Sequence, residues 1–92
     1  INMKKLELKN EEAVNFLEEN LNVHDTLAIG YNRVFAKGEV TNIEEPEYRI
    51  FMNLINEDDS PSVEINISKI KNQLIEYTIY PQDGDDVCVV VI

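Results

Sequence analysis

Apolar residues recur along the chain with two periods, and the changes of period divide it into elements. Ala13, Val14, Leu17 and Leu21 follow at helical spacing, with Phe16 beside the stripe and Glu18 and Glu19 facing away. This spacing predicts a helix over residues 10–21. Asn10 stands where an N-cap belongs, and Glu11 and Glu12 suit the positive end of the helix dipole. Residues 3–8 alternate briefly and read as a short strand or an ordered arm.

From residue 26 the period shortens. Residues 26–31 read as a strand, Asn32 as a turn and residues 33–36 as resumed extended chain, with Gly38 marking a bulge or bend. Residues 48–55 predict a long strand, with Tyr48, Ile50, Met52 and Leu54 on one side and Phe51 and Ile55 on the other. Apolar residues on both sides predict a central strand covered on both faces. After an acidic turn over residues 56–61, residues 62–67 alternate cleanly as a half-buried strand. Ser68 then reads as the cap of a second helix over 68–75, followed by a strand over 77–80. Asp83-Gly84 signals a hairpin loop over 81–85. The closing run, 87–92, is uncharged and β-branched except at Cys88, which predicts an interior strand, since such a run at a sheet edge would aggregate. The expected fold is one compact α+β domain over residues 1–92, a single antiparallel sheet of five to six strands with two helices packed on it.

Composition narrows the function classes. The 92 residues carry 18 acidic against 8 basic side chains, a formal charge of −10, which argues against direct binding of nucleic acid. No apolar run is long enough to span a membrane, no signal segment is visible, and the single cysteine suits a reduced, cytoplasmic protein. Asn and Ile occur eleven times each and Ala three times, which points to an A/T-rich gene of a low-G/C bacterium, a phage or a mobile cassette.

Catalytic and metal chemistry find little footing. His24 reads as a surface histidine, because its neighbour Asp25 is unsuited to orient it. Cys88 reads as a small buried hydrophobe, lacking the electropositive setting of a nucleophile. Ser60, Ser62 and Ser68 lack a nucleophile elbow. The acids around Gly84 depart from the EF-hand pattern, and no phosphate-binding loop is present. The expectation is therefore no catalytic residue, no metal, no cofactor and no small-molecule substrate.

Charge placement remains. Nine acids lie in three loops that contain no Lys or Arg: Glu44, Glu45 and Glu47; Glu57, Asp58 and Asp59; Asp83, Asp85 and Asp86. Such loops can serve solubility alone, or present a field that steers a basic protein partner. An antiparallel arrangement brings the first and third loops to one end, bordered by Tyr48 and Tyr80. The expected partner-binding surface is thus Glu44, Glu45, Glu47, Tyr48, Tyr80, Asp83, Asp85 and Asp86. In size, charge and C-terminal apolar strand alone, the chain resembles small acidic immunity proteins, with no aligned motif. The favoured expectation is an immunity protein or antitoxin of bacterial or phage origin that occludes the active site of a basic toxin such as a nuclease. A phage or mobile-element DNA mimic and a structural, oligomerising subunit are the alternatives.

Overall fold

The computed structural model describes residues 2–55 and 57–92. Asn56, the first residue of the acidic turn expected over 56–61, lies outside them. The elements follow in the order β1 (Met3–Leu8), α1 (Asn10–Asn20), β2 (Thr26–Tyr31), β3 (Val34–Glu44), β4 (Arg49–Leu54), β5 (Ser62–Asn66), α2 (Ile67–Ile70), a 3₁₀ turn (Lys71–Gln73), β6 (Leu74–Tyr80) and β7 (Asp86–Val91). The fold is α+β, but its one sheet has seven strands rather than five or six, in the order β1-β7-β6-β2-β3-β4-β5. It is also mixed: β1 pairs parallel with β7, and all other neighbours are antiparallel.

Helix α1 lies where its spacing predicts it. It buries Ala13 and Leu17 against the sheet, and Glu12 accepts a hydrogen bond from the Lys9 backbone N–H. Asn10 does not cap the helix as expected; its side-chain amide instead donates to the Lys71 carbonyl at 2.6 Å, tying the start of α1 to the 3₁₀ turn. The second helix is one turn long, not eight residues. Ile67 and Leu74 have the spacing of one helical face, yet both enter the core from different elements. Ser68 spends its hydroxyl on the Glu47 carbonyl rather than on a cap. β-branched Ile75 joins β6, where extended backbone suits it.

The pleat separates two faces. Leu27, Ile29, Val40, Ile50, Met52, Ile65, Tyr77, Ile79 and Val89 form the core with Ala13, Leu17 and Leu21 of α1. The register sets Lys5, Cys88, Thr78, Ala28 and Lys37 in a row across the opposite face, which no helix among the described residues covers. Strand β4 is therefore covered on one face only: Ile50 and Met52 are buried, while Phe51 remains half-exposed on the open side with the Arg49 guanidinium over its ring. β7 is interior, as expected, between β1 and β6. Gly38 is not a bulge: a Cβ there would lie 2.3 Å from the Asn53 carbonyl oxygen, so glycine permits the close approach of β4. The register shift in β3 falls between Val40 and Asn42.

Two buried tyrosines fasten α1 to the sheet. Tyr77 Oη donates to the Ala13 carbonyl at 2.6 Å and Tyr48 Oη to the Leu17 carbonyl at 3.4 Å. Burial raises both phenols: Tyr48 is pushed up to about 12, chiefly by desolvation and then by Glu18 and Glu45, and Tyr77 moves the same way. Above the ordinary phenol value of about 10, the unfolded chain releases these protons while the folded chain keeps them. Fewer protons are then bound in the unfolded state, so stability falls as pH rises. The expected result is a stability lost progressively above about pH 10, read by urea unfolding at stepped pH. Equal stability at about pH 9 and pH 11.5 would contradict the role given to these phenols.

Candidate functional site

Between α1 and the Ile67–Gln73 segment runs a groove of about 410 Å³. α1 contributes Asn10, Glu11, Val14, Asn15 and Glu18, and the facing wall contributes Ile67, Ser68, Lys71 and Asn72. The groove forms because the helical segment between β5 and β6 is too short to lie along α1 for its whole length. Its lining combines two apolar side chains with three carboxamides, a hydroxyl, two carboxylates and one ammonium. At the α1 C-terminal end the β3–β4 turn closes on it: the Glu47 carbonyl accepts from Ser68 Oγ at 2.7 Å. Burial holds the proton on Tyr48, and the negative charges of Glu18 and Glu45 add to that effect. Glu18 lines the groove, and the turn that carries Glu45 and Glu47 meets Ser68 at its edge. Glu18 stands near the negative end of the helix dipole, and α1 has no basic residue in its last turn.

The sequence places loops 44–47 and 83–86 at one end of the sheet, and the strand directions do so. β3 finishes at Glu44, and β6 finishes at Tyr80 opposite Thr26, where β2 begins. The two loops do not merge into one patch, however. Glu45 and Glu47 lie on the Glu18 and Ser68 side of α1, whereas Asp83 and Asp85 line a separate hollow with Phe16, Asn20, Asn22 and Pro81. Both aspartates are exposed.

Several expected site residues have other duties. Tyr48 does not border a partner surface: it is 6% exposed and hydrogen-bonds the helix. It shares the alternation of Ile50 and Met52, and that face is the buried one. Glu44 is not unneutralised, because Arg49 donates to it at 2.6 Å and also reaches Glu64 at 3.5 Å. Tyr80 lies on the open sheet face with the Lys37 ammonium 4.7 Å from its ring centre. Asp86 is half-buried at the start of β7, facing Met3. Cys88 is half-buried on the open face rather than sealed in a core. His24 approaches Glu39 at 3.5 Å, across from β3, and not its neighbour Asp25.

Sequence reasoning missed Glu18 as a groove residue and Asp25 as the tie between two loops on the other flank of α1. Asp25 is 3% exposed. One carboxylate oxygen accepts from the Asn22 N–H at 2.9 Å and the other from the Gln82 N–H at 3.1 Å, so it joins the α1–β2 loop to the β6–β7 loop. Its carbonyl accepts from Val40 N–H at 2.8 Å, which anchors β3 as well. The spacing of Asn22 and Asp25 carried a turn signal, but the partner at residue 82 is fixed only by the tertiary fold. Among the described residues, no three His, Cys, Asp or Glu side chains converge as metal ligands would, and no helix is long and apolar enough to cross a membrane.

No curated protein and no solved structure matches the chain. A family model does match, over residues 4–91, and it describes proteins conserved in archaea. This overturns the bacterial or phage origin and, with it, the immunity-protein, antitoxin and phage DNA-mimic readings. The Asn- and Ile-rich, Ala-poor composition reports base content, which does not distinguish the domains of life. Covered by the match over nearly its whole length, the chain belongs to the family described as Uncharacterized protein conserved in archaea (DUF2097).

Proposed function

We propose that the chain is a cytoplasmic docking domain that takes a basic, extended segment of a partner protein into the groove beside α1. The observation that carries this reading is Glu18 in the groove wall beside the turn of Glu45 and Glu47, which Ser68 holds through the Glu47 carbonyl. A Lys or Arg side chain suits such a place: its aliphatic stem can lie on the half-exposed Val14 while its charged head meets the carboxylates. Asn15 and Asn72 offer amide groups able to pair with an extended peptide backbone. The excess of acidic residues over the whole chain adds long-range attraction, which speeds encounter and weakens with salt. The reading assigns no catalytic role to any residue.

A fluorescently labelled synthetic peptide of alternating Arg and Ala serves as the probe, titrated with protein and read by anisotropy. The Glu18→Gln, Glu45→Gln, Glu47→Gln triple variant is expected to bind about tenfold or more weakly than the native chain. Asp83→Asn with Asp85→Asn removes charge from the other flank of α1 and is expected to change affinity by no more than about twofold. If the two variants lose affinity equally, attraction is a property of net charge and the groove has no part in it.

A further inference from the structure

We propose that β1 is a self-association edge through which two copies of this chain join their sheets, in one defined register. This surface is separate from the groove, so the two proposals stand or fall independently. Among the described residues β1 is one border of the sheet, with Lys4, Lys5 and Glu7 exposed. Its inner side is identified by one hydrogen bond: Ile92 N–H donates to the Leu8 carbonyl at 2.9 Å. In a ladder, alternate residues turn both backbone groups the same way. Lys4, Leu6 and Leu8 therefore spend theirs on β7, and Met3, Lys5 and Glu7 turn theirs outward.

An edge that joins its own copy about a two-fold axis pairs antiparallel, and facing residues must lie on the same side of the pleat. Of the registers that satisfy this, three centre on Lys5, Leu6 or Glu7. One sets Lys5 against Lys5. Another sets Glu7 against Glu7 and Lys5 against Lys9. The third sets Lys5 of each copy against Glu7 of the other, with Leu6 meeting Leu6 at the axis. Only the third pairs opposite charges, and it does so twice by symmetry. It also makes each Lys5–Glu7 pair the hydrogen-bonded kind, since both residues have outward backbone groups. On the helix face the Leu6 side chains meet, half-buried already and able to lose more surface to water.

The other border differs. β5 is five residues long, follows Pro61, and carries Glu64 as its single charge. Self-pairing centred on the strand would bring Glu64 against itself, and Arg49 already engages it at 3.5 Å. Like charges directly opposite are destabilising, so this border is protected while β1 is complementary to itself.

Light scattering on a size-exclusion column and sedimentation equilibrium test the proposal on the whole chain, from about 10 μM to about 1 mM, a range suited to a small interface. The native chain is expected to reach twice its monomer mass within that range. Lys5→Glu and Glu7→Lys, made singly, bring like charges together and are expected to weaken association about tenfold or more. The Lys5→Glu, Glu7→Lys double variant restores opposite charges in the same register and is expected to return association to within about threefold of native. Leu6→Cys is expected to form a disulfide-linked dimer on mild oxidation, because the facing Cα atoms would stand about 4.5 Å apart. A native chain monomeric throughout, single reversals as dimeric as native, a double variant that stays weak, or Leu6→Cys that does not cross-link would each overturn the proposal. Circular dichroism verifies that each variant is folded.

Discussion

Val89→Asp is expected to abolish folding, while Val90→Asp one residue later is expected to leave a folded protein. Val89 is 0% exposed and faces α1 from the middle of β7, paired with Tyr77 on one side and Leu6 on the other. An unpaired carboxylate there has no cation and no water to solvate it, a cost of several kcal/mol. The whole stability of a domain this size is about 5–10 kcal/mol, so most or all of it would be lost. Val90 points to the open face, half-exposed, with Glu76 and Glu7 as its register neighbours. A third carboxylate beside those two costs about 1 kcal/mol through like-charge repulsion and is otherwise solvated. Thermal unfolding followed by circular dichroism separates the outcomes. A cooperative transition in Val89→Asp would mean that the register of β7 is wrong by one residue.

Asp25→Ala is the second large effect. The side chain satisfies two backbone N–H groups, at 2.9 and 3.1 Å, in a setting 3% exposed. Removing it strands both donors, at about 1–3 kcal/mol each. A total loss of about 3 kcal/mol is expected from urea denaturation. Asp25→Asn keeps the shape and one acceptor, and turns an N–H toward the other donor. It should fall about midway between Asp25→Ala and the native chain. A loss below about 0.5 kcal/mol for Asp25→Ala would show that water replaces the carboxylate. The Asp25→Ala variant should also lose amide protection at Gln82 first, because that bond spans two loops.

Much of the fold was legible because burial and period agree in it. Ala13, Leu17 and Leu21 repeat as a helix and enter the core as one. The uncharged run through Val89 sits between two strands, as its hydrophobicity demands. The misreadings arose where one pattern fits two structures. Ile67, Ile70 and Leu74 have helical spacing, but the chain makes a single turn and then extends. Phe51 and Ile55 suggested a second covered face, although the half-buried Phe51 ring is sheltered by Arg49. Of the site, the acidic loops were readable as charge. Their partners were not: Glu44 meets Arg49, Glu45 shares Tyr48 with Glu18, and Asp25 meets Gln82 across 57 positions of sequence. Such pairings exist only once the topology is set.

The parallel union of β1 with β7 has a consequence for biosynthesis. Its partners, from Met3 with Asp86 to Leu8 with Val91, are 83 positions apart. A ribosome adding about 5–20 residues per second makes β1 wait several seconds, beyond its own emergence, for the strand that will receive it. The nascent chain must carry that segment unpaired while the β2–β5 meander, whose contacts are local, can already assemble. Until β7 emerges, Leu6 and Leu8 have no neighbouring strand to cover them.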